Sequence, residues 1–170
     1  RVLFIDADMR EGYVHNVFGL TNHTGLSGVL DGKCECQEAI QRYEKGNIDV
    51  LTCGPVPLRP SELLMSERFR AVMTWANEQY DLVILDTPPV LAVTDASVAA
   101  PVAATSLLVA RFAKTSLKEM ENSIKRLQQT GAYINGTVLN DVVKSAALYY
   151  RAGYGHYEYG QSPTRQPRKD

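Results

Sequence analysis

The feature that most constrains this chain is a set of short apolar runs, rich in Val, Ile and Leu, without the in-out alternation of a half-exposed strand. They are Val2 to Ile5, Ile48 to Thr52, Leu82 to Leu85 and Leu107 to Ala110. Runs of this kind suit strands buried on both faces of a parallel sheet. Ile134 to Leu139 is a fifth, despite Gly136 in its middle. Parallel neighbours need crossover connections, and helical sequence lies between the runs. Ser61 to Gln79 places Met65, Phe69, Val72 and Ala76 on one face; Ser116 to Gln129 does the same with Leu117, Met120, Ile124 and Leu127. Ser116 and Glu119 have capping-box spacing, and Gly131 follows as a stop. The alternation predicts an α/β fold, a doubly wound and mostly parallel sheet flanked by helices.

In such a sheet ligands bind beyond the carboxyl ends of the strands, so acidic residues directly after apolar runs carry weight. The first run ends in Asp6-Ala7-Asp8-Met9-Arg10, and the third in Asp86-Thr87-Pro88-Pro89. A single aspartate in this position is commonly a helix cap or a turn former. The combination is more specific. Magnesium takes oxygen ligands, keeps much of its water, and is typically held by one or two carboxylates together with substrate phosphates.

Charge narrows the classes further. Lys plus Arg total 18 against 19 for Asp plus Glu, so no overall positive field favours nucleic acid. The charge-free run Ala96 to Ala110 is broken by Pro101 and falls short of the ~20 apolar residues that span a bilayer. Cys34, Cys36 and Cys53 are too few and too unevenly spaced for a disulfide scaffold and suit a reducing compartment. The Cys34 and Cys36 pair lacks a second ligand pair for zinc, and free surface thiols are expected there. From Ala152 onward the apolar periodicity gives way to glycine, tyrosine, proline and charge, which predicts a flexible tail. Tyr149, Tyr150, Tyr154, Tyr157 and Tyr159 make up five of the chain's nine tyrosines. Such a cluster suits either an aromatic self-association edge or a set of phosphate acceptors.

Asp6-Ala7-Asp8-Met9-Arg10 resembles the Walker A′ motif, and Leu82 to Pro89 the Walker B motif, of bacterial tyrosine kinases, the BY-kinase family related to MinD and ParA type P-loop ATPases. Gly54-Pro55-Val56-Pro57, Pro60-Ser61-Glu62-Leu63-Leu64, Val90-Leu91-Ala92-Val93-Thr94-Asp95-Ala96 and Val138-Leu139-Asn140 are also similar to segments of that family. The likeness runs from about Arg1 to Tyr159 and is strongest to the proteobacterial branch fused to polysaccharide co-polymerases.

The resemblance implies an ATP- and magnesium-dependent autokinase. Asp8 and Asp86 would hold Mg2+, Asp6 would accept the tyrosine proton, Arg10 would belong to the same catalytic edge, and Asn140 would contact the adenine base. Tyr149, Tyr150, Tyr154, Tyr157 and Tyr159 would be phosphorylation sites, and Tyr13 an internal regulatory tyrosine or, on a plainer reading, a packed loop aromatic. The family places an arginine just before Gly54 to receive a phosphate on that tyrosine; this chain has Cys53 there, with Arg59 as a geometric substitute. Residues 1–143 would form the catalytic domain and 144–170 the tail, whose five basic and two acidic residues give a net charge of +3. Several phosphates of about −1.5 to −2 each would reverse that sign.

The partners implied are further copies in a ring formed through tail-in-site contacts, a low-molecular-weight tyrosine phosphatase, and the polysaccharide export machinery, at the cytoplasmic face of the inner membrane. The glycine-rich G-x-x-x-x-G-K-[ST] loop is absent from the 170 residues, and Gly32-Lys33, the only Gly-Lys pair, is followed by cysteine. The family's order of motifs puts that loop and its strand before Arg1, so the 170 residues alone are expected to be inactive. The competing readings are a non-catalytic module that presents tyrosines to a partner kinase or phosphatase, and a plain MinD-like ATPase.

Overall fold

Strand β1 (Val2–Asp6) pairs on both sides, and the other elements are arranged around it. The structure is a computed structural model that describes residues 1–143. Its elements continue as α1 (Val14–Phe18), α2 (Leu26–Leu30), α3 (Cys36–Ala39), β2 (Ile40–Tyr43), β3 (Ile48–Leu51), α4 (Pro60–Met65) and α5 (Glu67–Gln79). Then follow β4 (Leu82–Asp86), α6 (Asp95–Ala99), β5 (Ser106–Arg111), α7 (Leu117–Gln128) and β6 (Ile134–Asn140). Four strands form one sheet in the order β2-β3-β1-β4, with β1 parallel to both β3 and β4. The five expected strands are present, within one or two residues of the apolar runs.

Strand β2 is an addition to that expectation. Its Ile40-Gln41-Arg42-Tyr43 has no buried residue, because it is an antiparallel edge paired only with β3. The connection is a tight turn in which Asn47 adopts φ +52°, a left-handed conformation that asparagine tolerates better than most residues. Strands β5 and β6 pair in parallel as a separate two-stranded sheet rather than extending the first. Among the described residues, β4 and β5 each have a strand on one edge only. Leu82, Ile84, Leu107 and Val109 on these two strands are exposed.

Leu3 and Ile5 of β1 are fully buried in one cluster with Leu51 of β3, Leu26 and Leu30 of α2, and Phe69, Val72, Met73 and Ala76 of α5. On the opposite face Phe4 packs edge-on against Phe18 at 5.8 Å, and Phe18 against Tyr43 at 4.9 Å between ring centres. The helix expected over 61–79 is two helices. Ser66 is extended, with ψ 153°, and its hydroxyl oxygen accepts the N–H of Phe69 at 3.2 Å while donating to the carbonyl of Leu63 at 2.6 Å. That hydroxyl both ends α4 and caps α5, so Met65 leaves the buried stripe and is exposed.

In α7 the capping box is formed, Ser116 accepting from the Glu119 N–H at 3.2 Å and Glu119 accepting from the Ser116 N–H at 2.8 Å. Of its expected apolar stripe only Leu127 is buried; Leu117, in the first turn, is exposed. Ser116→Ala removes one partner of the box and should cost about 1 kcal/mol. A thermal unfolding midpoint about 2–4 °C lower would register it. Among the described residues no helix is long and apolar enough to cross a membrane.

The tail and its tyrosines, Tyr149, Tyr150, Tyr154, Tyr157 and Tyr159, lie outside the described residues. Cys34 is half-buried and Cys36 buried, which corrects the expectation of surface thiols. The first residue of α3 turns its thiol into the core cluster, and burial pushes it up to about 11.

Candidate active site

The register of β1 and β4 brings two of the three aspartates together: Asp6 lies directly across from Asp86, the last residue of each strand. The pairing is extended by the Ala7 N–H, which donates to the Asp86 carbonyl at 2.8 Å. Asp6 has no solvent exposure. Its two carboxylate oxygens accept the N–H groups of Asp8 at 3.1 Å and Val14 at 3.3 Å. Burial nevertheless raises its carboxyl to about 6, with the charges of Asp86 and Asp8 adding. Asp86, open to solvent on one side, is raised too, first by desolvation among the strand ends and then by Asp8.

Asp8 stands where the chain leaves the sheet. One of its oxygens accepts the N–H groups of Arg10 at 3.1 Å and Glu11 at 3.0 Å, which leaves the other for a ligand. The loop then folds back over Asp6. A side chain at Gly12 would lie 2.5 Å from the Asp8 carbonyl, 2.5 Å from Cys53 Sγ and 2.7 Å from Asp6 Oδ2, so only glycine fits there. Cys53 is buried, its thiol pushed up to about 11 first by burial and then by Asp6. Asn22 braces the same corner, accepting from the Gly54 N–H at 2.8 Å and donating to the Gly54 carbonyl at 3.1 Å.

Arg10 turns away from the other aspartates. Its Nε and Nη2 donate to the two oxygens of Asp95 at 2.8 and 3.0 Å, and Ser61 donates to the same carboxylate at 2.7 Å. Burial works to raise the Asp95 carboxyl, but Arg10 and Ser61 outweigh it and hold it below the ordinary range. Asn140 ends β6 in the other sheet and accepts the N–H of Asp141 at 2.8 Å; among the described residues no hydrogen bond joins it to the aspartates. Tyr13 is exposed on the loop over Asp6. Arg59, also exposed, pairs with Glu62 at 3.2 Å.

Sequence reasoning gave no role to four residues that shape this edge: Asp95 and Ser61, both inside segments similar to the family's, and Asn22 and Arg126. Arg126 of α7 donates to the carbonyls of Val90 and Leu91 at 2.9 and 3.2 Å and pins the turn after Asp86. The signals available were the family likeness of the segments that hold Ser61 and Asp95, and Asp95 as a lone acid at the head of an alanine-rich apolar stretch.

No family model matches the chain. It is 53% identical over 150 residues, 88% of its own length, to Tyrosine-protein kinase etk of Escherichia coli strain K12. The chain belongs to this family of bacterial tyrosine kinases. It spans 21% of that relative's length. The solved kinase domain of Escherichia coli ETK superposes on it with a TM-score of 0.84 at 51% identity, covering 95% of this chain and 60% of that one. The septum site-determining protein MinD from Pyrococcus horikoshii shares the fold, with a TM-score of 0.67 at 23% identity over 85% of this chain and 59% of its own. The α/β architecture read from the apolar runs is therefore that of the bacterial tyrosine kinases, and its fold is shared with MinD.

A divalent cation suits the donor set of this bacterial tyrosine kinase edge. One oxygen of Asp8 takes none of the loop's N–H groups, and the Asp86 carboxylate is exposed at the end of β4. Among the described residues no three such side chains converge into a closed cage. Two carboxylates without a cage are what magnesium uses when water and phosphates complete its shell.

Proposed function

We propose that the chain is the greater part of an ATP-dependent protein-tyrosine kinase domain that phosphorylates the tyrosine cluster of a neighbouring copy. The in-register meeting of Asp6 and Asp86, with Asp8 two residues on, carries this reading. Asp8 and Asp86 would hold magnesium, whose chemistry there would be to neutralise charge on the phosphates of ATP. Asp6 accepts the proton of the incoming tyrosine. A phenol of pKa ~10 stays protonated at neutral pH, and a carboxylate raised to about 6 is a better acceptor than an ordinary one. The loop through Gly12 and Val14 closes Asp6 off from solvent, so a tyrosine reaches it only when that loop lifts. Tyr13 sits on the same loop, where a phosphate would add charge to the cover. The neutral Cys53 thiol offers that phosphate no cation.

The loop that cradles the phosphates is not among the 170 residues. We place it in the part of the kinase domain that the superposition on ETK leaves uncovered, docking between the single-sided edges of β4 and β5. Asn140 then lies at the rim, where an adenine base would sit. Copies assemble in a ring by offering unmodified tails to neighbouring sites. Phosphorylation of Tyr149, Tyr150, Tyr154, Tyr157 and Tyr159 reverses the tail's charge and releases it. A low-molecular-weight tyrosine phosphatase resets the tail, and the cycle regulates capsular or exopolysaccharide synthesis and export at the cytoplasmic face of the inner membrane.

The decisive measurement mixes two full-length proteins. One is active but has its tail tyrosines changed to Phe; the other keeps its tail and carries Asp6→Asn with Asp8→Asn. Phosphotyrosine on the second protein is the expected result. A blank there, with the active partner still phosphorylating added peptide, would end the between-subunit reading.

A further inference from the structure

Asp95 is a carboxylate with no solvent exposure, at the first position of α6. A buried charge persists only when it is paired and hydrogen-bonded, and here both oxygens are satisfied. Arg10 meets them with two parallel bonds of 2.8 and 3.0 Å, Ser61 adds a third of 2.7 Å, and Arg10 Nη2 also donates to the Ser61 hydroxyl at 3.1 Å. The triangle ties together three segments remote in sequence: the loop after β1, the first turn of α4 and the first turn of α6. Its second consequence lies in the main chain of Arg10. That residue's N–H holds one oxygen of Asp8 at 3.1 Å, beside the Glu11 N–H at 3.0 Å. The side chain of Arg10 is anchored by Asp95, while its backbone orients Asp8.

We propose that Asp95 is a positioning residue for Asp8: acting through Arg10, it keeps the free oxygen of Asp8 turned toward the cation. This rests on the reading of Asp8 as a cation ligand. Asp95 itself touches neither Asp8 nor Asp86. Outer partners of a metal ligand act in this way, by restricting the ligand's orientation before the ion arrives.

The test titrates Mn2+ into the full-length protein and follows the free ion by electron paramagnetic resonance, a readout independent of turnover. Asp95→Asn should weaken Mn2+ binding by about 10-fold or more, as losses of outer partners do. Ser61→Ala, which leaves the ion pair in place, should weaken it by about 3-fold, the worth of one hydrogen bond. Arg10→Lys, which keeps the charge but cannot span both oxygens, should fall between them. Tyrosine phosphorylation at saturating cation should drop less than the affinity does. Asp8→Asn separates the two readings. If it binds Mn2+ like the wild type, Asp8 is no ligand and both fall. If it loses Mn2+ while folded Asp95→Asn retains wild-type affinity, the positioning role alone is overturned. Should Asp95→Asn fail to fold, wild-type Mn2+ affinity in both Ser61→Ala and Arg10→Lys overturns it equally.

Discussion

Replacing Asp6 with Asn should lower ATP-dependent tyrosine phosphorylation by the full-length protein by ~10²–10⁴-fold, the usual contribution of a proton acceptor. An asparagine keeps the shape and can still accept one of the two N–H groups that Asp6 receives from Asp8 and Val14. It cannot take up a proton from a phenol. Measuring the rate at saturating ATP and magnesium, beside a melting curve showing a folded variant, tests the assignment. A rate within ten-fold of wild type, against the two or more decades expected of a proton acceptor, would remove Asp6 from the proton transfer.

The same side chain carries a pH signature in the metal-free protein. Its carboxyl sits at about 6 in the fold because of burial, against an ordinary value near 3.8. The folded chain thus binds this proton more tightly than the unfolded chain. The contribution favours folding fully below about pH 4 and is lost as pH rises through about 6. A shift of roughly two units corresponds to about 3 kcal/mol. In the presence of a chelator, the wild type should lose stability between about pH 4 and 6 relative to Asp6→Asn. Parallel stability curves for the two proteins across that range would contradict the buried charge.

How much of this was legible beforehand follows from how far each signal reaches along the chain. The apolar runs located β1, β3, β4, β5 and β6 because runs of Val, Ile and Leu announce strands by composition, although β4, β5 and β6 leave apolar side chains such as Ile84, Val109 and Leu139 exposed. Strand β2 did not, since an edge paired on one side needs no buried residue. The break at Ser66 was hidden for a different reason: a serine compatible with helix geometry is also an N-cap, and packing decides between the two. Asp6 and Asp86 stand out in the sequence because each follows an apolar run directly, and Asp8 because it lies two residues beyond Asp6. That Asp6 and Asp86 meet in register is a fact of pairing between residues 80 apart in sequence, which no local pattern encodes. The motif put Arg10 on the same edge as the aspartates without naming a partner for its side chain, which pairs with Asp95 and Ser61. Buried ion pairs between distant segments are invisible until the segments are brought together.

Phe69→Ala should do the reverse of Asp6→Asn, removing stability while leaving the chemistry of the folded molecules in place. Phe69 has no exposed surface and lies in the cluster that also contains Leu3, Ile5 and Leu51, the residues on which β1 and β3 rest. Truncation deletes the ring and leaves a cavity that the flanking Val72, Met73 and Ala76, fixed on the same helix, cannot close; such losses cost about 3–5 kcal/mol. For a domain whose whole stability is typically ~5–15 kcal/mol this is a large share, visible as a sharply lower denaturant midpoint with an unchanged slope. Phe69 makes no hydrogen bond through its side chain to the aspartates, and β1 is held at its far end by backbone pairing to both β3 and β4. The rate per folded molecule at low temperature should therefore stay within about three-fold of wild type, since sites without shared partners act independently. A drop in that rate as large as the one from Asp6→Asn would mean that the carboxyl ends of β1 and β4 are positioned by α5, and not by the strand register itself.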